Sequence, residues 1–440
     1  MAPVGPDVAP GPGHVDTPRD LVERLRLLKA WSGLTYRQLQ RRAAREGETL
    51  PYSTIASVLG RTALPRLEFV RVYVRACGVA PERVADWVAA WRRIAMRGAE
   101  PGPCAEDGRV SELDLCRLAA STSRLRRLGD RYGGGAVADQ AVAVQERWRN
   151  RVDGARAPGR RTLRLVAEDA VSAGVISCSA GWRVAADRLG RAGLEMARAA
   201  AAVEVEVYAL SHHLARDRET GRLDDAIELA RRAQSLGSGA VAPRVLSLVA
   251  AQEATCCAAA GDGAGFWSAM ETSLEWFVQG AEGCPGWCEW FDEAAIVATN
   301  AIAAEAFQKW NVAAACYETA LARTSVRYRR DRLRYRLRLA LCWLAMGEVE
   351  LACHHGVLCL ADVEEVADVH VDQLLSVLRS RLRGIHSAAA DDFAARCDDL
   401  FGSVLARPAE APERPTDVLG RAAEAPERPA DVAERAGDVA

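Results

Sequence analysis

From Val110 to Phe401, Ala, Leu and Val recur with a period near 3.6 residues, and runs rich in β-branched or aromatic residues are few. An apolar stripe of that period has to be buried against a packed neighbour, and with so few candidate strands the neighbour must itself be helical. The predicted fold class is all-α. A turn residue followed five positions later by a small one recurs at Gly221 and Ala226, Gly263 and Ser268, Trp310 and Ala315, and Gly347 and Ala352. The intervals of 42, 47 and 37 residues fall in the range of helix-pair repeats. Residues 221–237, GRLDDAIELARRAQSLG, read as the second helix of one pair, with Leu223, Ala226, Ile227, Leu229 and Ala230 facing inward. A helical hairpin cannot bury its apolar face alone, so about five or six pairs are expected to stack into a curved solenoid.

The N-terminal part follows a different plan. Thr17-Pro18 with Asp20 marks a helix start, with Leu21, Leu25 and Leu28 as its buried stripe. Thr35 with Gln38 three residues on is a capping box. The helix that begins at Tyr36 buries Leu39 and Ala43 and leaves Arg37, Arg41, Arg42 and Arg45 toward solvent. Pro51 opens a third helix. Its Ile55, Val58 and Leu59 share one face, while Tyr52, Ser53, Thr54, Ser57 and Arg61 point elsewhere. Hydroxyls, a phenol and a guanidinium are groups that hydrogen-bond base edges and phosphates. Pro65 starts a fourth helix, with Phe69, Val70, Tyr73 and Val74 in the core and Gly78 at its end. Pro81 starts a fifth, with Val84, Trp87, Val88 and Trp91 inward.

GLTYRQLQRRA, STIASVLGR and LPRLEFVRVYVRACGV together resemble the Cro/repressor-type (XRE) helix-turn-helix. The resemblance implies double-stranded DNA as partner, with Thr35, Arg37 and Gln38 at phosphates or the groove edge and Tyr52, Ser53, Thr54 and Ser57 in the groove. Residues Arg45 to Leu50 make a longer connection than that family's tight turn. The segments RLRRLGDRYGGGA, AGWRVAADRLGRAG, GRLDDAIELARRAQ and WFDEAAI resemble the tetratricopeptide-like (TPR-like) half of actinobacterial regulators of this class. The expected organisation is a disordered leader over 1–16, a five-helix DNA-binding domain over 17–98, a linker over 99–109, a TPR-like α-solenoid over 110–405 and a disordered tail over 406–440. The tail carries AEAPERPTDV and AEAPERPADV, a near duplication with almost no large apolar side chain.

Charge agrees with that division. Residues 17–98 hold 16 Lys and Arg against 7 Asp and Glu, a balance of +9, whereas the whole chain is at −2. Such asymmetry marks a nucleic-acid-facing end on a soluble protein. A basic bundle that docks an acidic partner is the plainer alternative.

Several function classes find no support. No P-loop, dinucleotide Gly motif, G-x-S-x-G elbow or H-E-x-x-H appears, RYGGGA is too short for phosphate binding, and neither enzyme activity nor a cofactor is expected. No apolar stretch approaches a membrane span, and the N-terminus lacks signal-peptide order, so a cytoplasmic protein is expected. The thirteen cysteines form no C-x-x-C pair and read as buried free thiols. Cys284, Cys288, His354 and His355 lack the paired spacing of a zinc site, and no metal is expected. In WCEWFDEAA, Trp287, Trp290, Asp292 and Glu293 are candidates for holding a cationic or peptidic effector. Core aromatics and a helix-start charge bias explain the same residues and are favoured. The arginine-rich run 328–341 reads as a solvated face paired with acids of a neighbouring helix.

The expected function is that of a sequence-specific transcriptional regulator acting as a homodimer on two half-sites. Its repeats would serve dimerisation or bind a peptide, small-molecule or protein effector. The alternatives are a sensor laid out like peptide-pheromone receptors and an interaction scaffold without DNA binding.

Overall fold

The computed structural model describes residues 9–404 except His14, Asp16, Glu46, Thr62, Ala63, 98–109, Arg156 and Ala157. The predicted linker, the tail and residues 1–8 of the leader lie outside the described residues. Among those described there are nineteen α-helices, one 3-10 turn and no strand. Two compact units form, one holding residues up to Val205 together with Ser325 onward, the other Glu206–Thr324.

In the first unit α1 (Pro18–Ser32), α2 (Tyr36–Arg45), α3 (Tyr52–Leu59), α4 (Leu67–Ala76) and α5 (Pro81–Arg97) surround one core. Thr17 Oγ1 accepts from the Asp20 amide at 3.2 Å and Asp20 accepts from the Thr17 amide at 3.0 Å, which closes the capping box of α1. The Thr35 and Gln38 box opens α2 in the same way, at 3.3 and 2.7 Å. Leu21, Leu25, Leu28, Leu39, Ile55, Val70, Tyr73 and Trp87 are fully buried, whereas Val58 and Val88 are only half-buried at the edge. Part of the segment expected to be a disordered leader packs on this core: Val15 is buried, and Arg83 donates to the Ala9 carbonyl at 2.7 Å.

The same unit contains α6 (Glu112–Tyr132), α7 (Ala138–Asp153), α8 (Arg160–Ser179) and α9 (Arg183–Ala199), then α16 (Arg329–Ala345), α17 (Val349–Val363), α18 (Val369–Leu382) and α19 (Ala388–Val404). The sequence predicts a TPR-like α-solenoid over 110–405. Within this unit α16 packs on α6 and α19 on α5, so its last helices return to its first. The second unit runs through α10 (Val203–Glu219, which begins in the first), α11 (Leu223–Gly237), α12 (Pro243–Ala259), α13 (Gly263–Phe277), α14 (Glu293–Ala306) and α15 (Trp310–Arg323).

The helix pairs share one connection. Gly181, Gly221, Gly261, Gln308 and Gly347 all have positive φ, between 57° and 86°. The next amide in each case, on Trp182, Arg222, Asp262, Lys309 or Glu348, donates to the carbonyl five residues back at 2.8–2.9 Å. This is the Schellman ending, which satisfies the last carbonyls of the first helix and reverses the chain in two residues. Five positions after each turn sits a buried residue: Ala186, Ala226, Phe266, Ala313 or Ala352. Two of the predicted registers, Gly263 with Ser268 and Trp310 with Ala315, are therefore displaced by two residues, and Ser268 and Ala315 are exposed. In α11, Ala226 and Ala230 are buried, while Leu223, Ile227 and Leu229 are half-buried.

The arginine-rich helix α16 is less solvated than its sequence suggests. Arg329 pairs with Asp362 and Glu365, Arg330 with Asp130 of α6 at 3.1 Å, and Arg334 with Asp368 at 2.8 Å. Asp368 is 1% exposed. It caps α18 by accepting from the His370 and Val371 amides, both at 3.1 Å, and it receives the Ser179 hydroxyl. Beside it, Gly133–Gly135 let two backbones touch. The Gly135 amide donates to the Ala367 carbonyl and the Ala367 amide to the Tyr132 carbonyl, both at 2.8 Å, while the Gly134 amide donates to Ser179 Oγ at 3.1 Å. The Gly run is thus a docking seam for the 364–368 connection.

One buried acid in this unit is poorly matched. Asp169 of α8 accepts the Thr122 hydroxyl at 2.6 Å on one oxygen, while the other has no hydrogen-bond partner. Burial pushes its carboxyl up to about 7, against the opposing effects of Thr122 and Arg126. An acid raised above its unfolded value of about 3.9 contributes most below that pH and loses the contribution as pH rises through 7. Asp169→Asn is therefore expected to raise the melting temperature at pH 8, to raise it less at pH 5 and to leave it nearly unchanged at pH 3. Equal shifts at all three pH values would show that the charge is not what matters.

Candidate nucleic-acid interface

The polar face predicted on α3 is open to solvent. Ile55 and Leu59 drop into the core, and Tyr52, Ser53, Thr54, Ser57 and the following Arg61 are all exposed, Tyr52 by 51%. At the start of α2, Thr35, Arg37 and Gln38 are exposed as well. The Arg37 guanidinium lies 6.0 Å from the centre of the Tyr52 ring, which brings the two helix starts together. Gln38 Oε1 accepts from both the amide and the hydroxyl of Thr35, so the box occupies Gln38 through its oxygen. Arg41, Arg42 and Arg45 continue the exposed cationic side of α2, and Glu48 in the connection pairs with Arg71 at 3.7 Å.

The contacts of this bundle with the rest of its unit fall on other helices. Arg71 and Arg75 of α4 reach Glu364 at 2.7 and 3.1 Å, α5 packs on α19, and Trp91 meets Tyr132 edge to face at 6.2 Å. Two side chains not singled out in the sequence bear directly on α3. Gln40 Oε1 accepts from the Tyr52 amide at 3.1 Å. Arg26 of α1 donates to the Leu59 carbonyl through Nε and Nη2, at 2.8 and 2.5 Å. Each of these bonds joins a side chain to the backbone of another helix, a relation that leaves no local sequence pattern.

The candidate effector residues take structural positions instead. Trp287 is buried and stacks on Tyr208, with ring centroids 4.1 Å apart and planes 7° from parallel. Trp290 is half-buried against Phe291, 5.8 Å between centroids. Asp292 caps α14 by accepting from the Ala295 amide at 3.2 Å, and exposed Glu293 pairs with Arg323 at 3.5 Å. The rings are consumed by packing and Asp292 by capping, as expected for the start of a buried helix. The twelve described cysteines are free thiols, most of them buried; Cys288 is directed at the Arg244 carbonyl, 3.7 Å away. No described helix is long and apolar enough to cross a membrane.

The chain matches no protein-family model and no curated protein. Among solved structures it is similar to a human IFIT1 dimer with PPP-AAAA, at 12% identity over 88% of this chain and 84% of that one, with a TM-score of 0.39. It is similar to BtubC (BKLC) from P. vanneervenii at 15% identity, over 62% of this chain and 94% of that one, TM-score 0.31. A circular tandem repeat protein with novel repeat topology is a third, at 17% identity over 88% and 92% of the two chains, TM-score 0.25. At TM-scores this low, none of the three bears on what this chain binds.

Proposed function

We propose that this chain is a cytoplasmic, sequence-specific DNA-binding regulator of transcription, of the Cro/repressor-type helix-turn-helix class with TPR-like repeats found in actinobacterial regulators. The observation that carries the proposal is the exposed row Tyr52, Ser53, Thr54 and Ser57 on a helix anchored from behind by Ile55 and Leu59. Such a helix presents outward the kind of hydrogen-bonding groups that read base edges in a major groove. Arg37, Arg61 and the exposed arginines of α2 supply phosphate contacts that hold register without reading sequence. The α4 and α5 contacts with the repeats leave that row uncovered. One small domain spans one half-site, so a homodimer on two half-sites about one DNA turn apart is part of the proposal. The repeats serve dimerisation, effector sensing or partner binding.

A genome-wide binding map should yield a common site, and affinity for it should fall steeply with salt. Changing Tyr52, Ser53 and Ser57 together to Ala should lower preference for that site over scrambled duplex by about 100-fold, at roughly 1 kcal/mol for each single hydroxyl hydrogen bond lost. Undiminished preference in that variant would remove α3 from the groove. A map without enriched sites would favour a scaffold.

A further inference from the structure

We infer that Gln40 and Arg26 are positioning residues that fix the tilt of α3 by holding its backbone at both ends. The inference rests on the DNA-binding role proposed for α3 and adds how the helix is aimed.

Helix α3 has only eight residues and no side-chain cap of its own, since its N-cap is Pro51. A helix so short has little intrinsic stability and takes its direction from its surroundings. Ile55 and Leu59 set how deep it sits, but apolar burial is not directional and constrains tilt weakly. Hydrogen bonds are directional. At the first residue, Gln40 of α2 takes the Tyr52 amide at 3.1 Å, and at the last, Arg26 of α1 forks onto the Leu59 carbonyl at 2.8 and 2.5 Å. The two anchors come from different helices and lie one at each end of α3, so together they define a direction that neither defines alone. An orphan amide and an orphan carbonyl of the helix ends are satisfied in the same stroke. The guanidinium also complements the negative end of the helix dipole. These anchors replace what the long Arg45 to Leu50 connection cannot impose. Through Gln40 Oε1 and through Nε and Nη2 of Arg26, which bond the α3 backbone, the two side chains act on DNA by way of the angle of α3.

The test uses the full chain with Gln40→Leu, Arg26→Met and the conservative Gln40→Glu, which keeps an acceptor oxygen. Hydrogen exchange on the free protein should show faster exchange of the α3 amides in the Leu and Met variants and wild-type protection in the Glu variant. Preference for the mapped site over scrambled duplex should fall about 3- to 10-fold for each anchor lost, the worth of one hydrogen bond. The salt slope should stay at its wild-type value, because phosphate contacts are kept. Unchanged α3 exchange in both variants would overturn the inference, as would loosened α3 amides with undiminished site preference. If the wild-type chain preferred no duplex, the DNA-binding role and with it the aiming would fall, and the exchange arm alone would then report whether the two side chains hold α3.

Discussion

Asp368→Ala is expected to cost about 3–5 kcal/mol of stability, the range found when one partner of a buried ion pair is removed. Arg334 would lose its 2.8 Å partner, α18 its cap, and Ser179 the acceptor of its hydroxyl. Asp368→Asn keeps an acceptor for the two cap amides and should cost less. Both values are measurable by urea denaturation, and a cost below about 1 kcal/mol for the Ala variant would mean that the cluster contributes little. The ionised carboxylate adds a pH signature. Burial by itself would raise the Asp368 carboxyl, but Arg334, then the hydrogen bond from His370 and the charge of Arg330, hold it far below the usual carboxylate range. A carboxyl depressed by folding stabilises above its unfolded value of about 3.9 and loses that contribution as pH falls further. Wild type should therefore lose more stability than Asp368→Asn between pH 5 and pH 2. Parallel pH curves would contradict the ion-pair account.

Gly133→Ala and Gly134→Ala should be nearly as damaging, at about 3 kcal/mol or more, from overpacking at both positions and from added backbone strain at Gly133. A Cβ on Gly133 would stand 2.2 Å from the Ala367 carbonyl oxygen at a φ of 79°, and one on Gly134 would stand 2.3 Å from the Ile176 carbonyl oxygen. Neither obstacle is a side-chain end able to swing aside. At Gly135 the nearest atom is 3.0 Å away, so Gly135→Ala serves as the milder comparison. Melting temperature, together with protease cleavage within 364–368, reports the outcome. Equal tolerance of all three substitutions would show that the seam does not need close backbone approach.

The features legible in the sequence are those written within one helix turn. Thr17 with Asp20 and Thr35 with Gln38 announce the starts of α1 and α2, and the split between Ile55 and Ser57 follows from helical period alone. The pair turns were only partly legible, because their determinant is a positive φ. Gly usually marks it, but at Gln308 it is carried by a residue with no such signature, and Gly261 competes with the neighbouring Gly263. The arginines of α16 look solvated by letter, since their acids come from Asp130, Asp362, Glu365 and Asp368 on other elements. The anchors of α3 and the seam at Gly133–Gly135 are likewise relations between remote segments, and no local pattern encodes them.

The seam also dictates an order of events at the ribosome. Ser179 and Asp368 are 189 residues apart, so at about 5–20 residues per second the earlier face waits about 10–40 s for its cover. During that interval the Gly135 amide, the Tyr132 carbonyl and the Ser179 hydroxyl are without the partners that Ala367 and Asp368 later supply. Any stall before Asp368 is synthesised should make the emerging chain a target for chaperone capture or degradation.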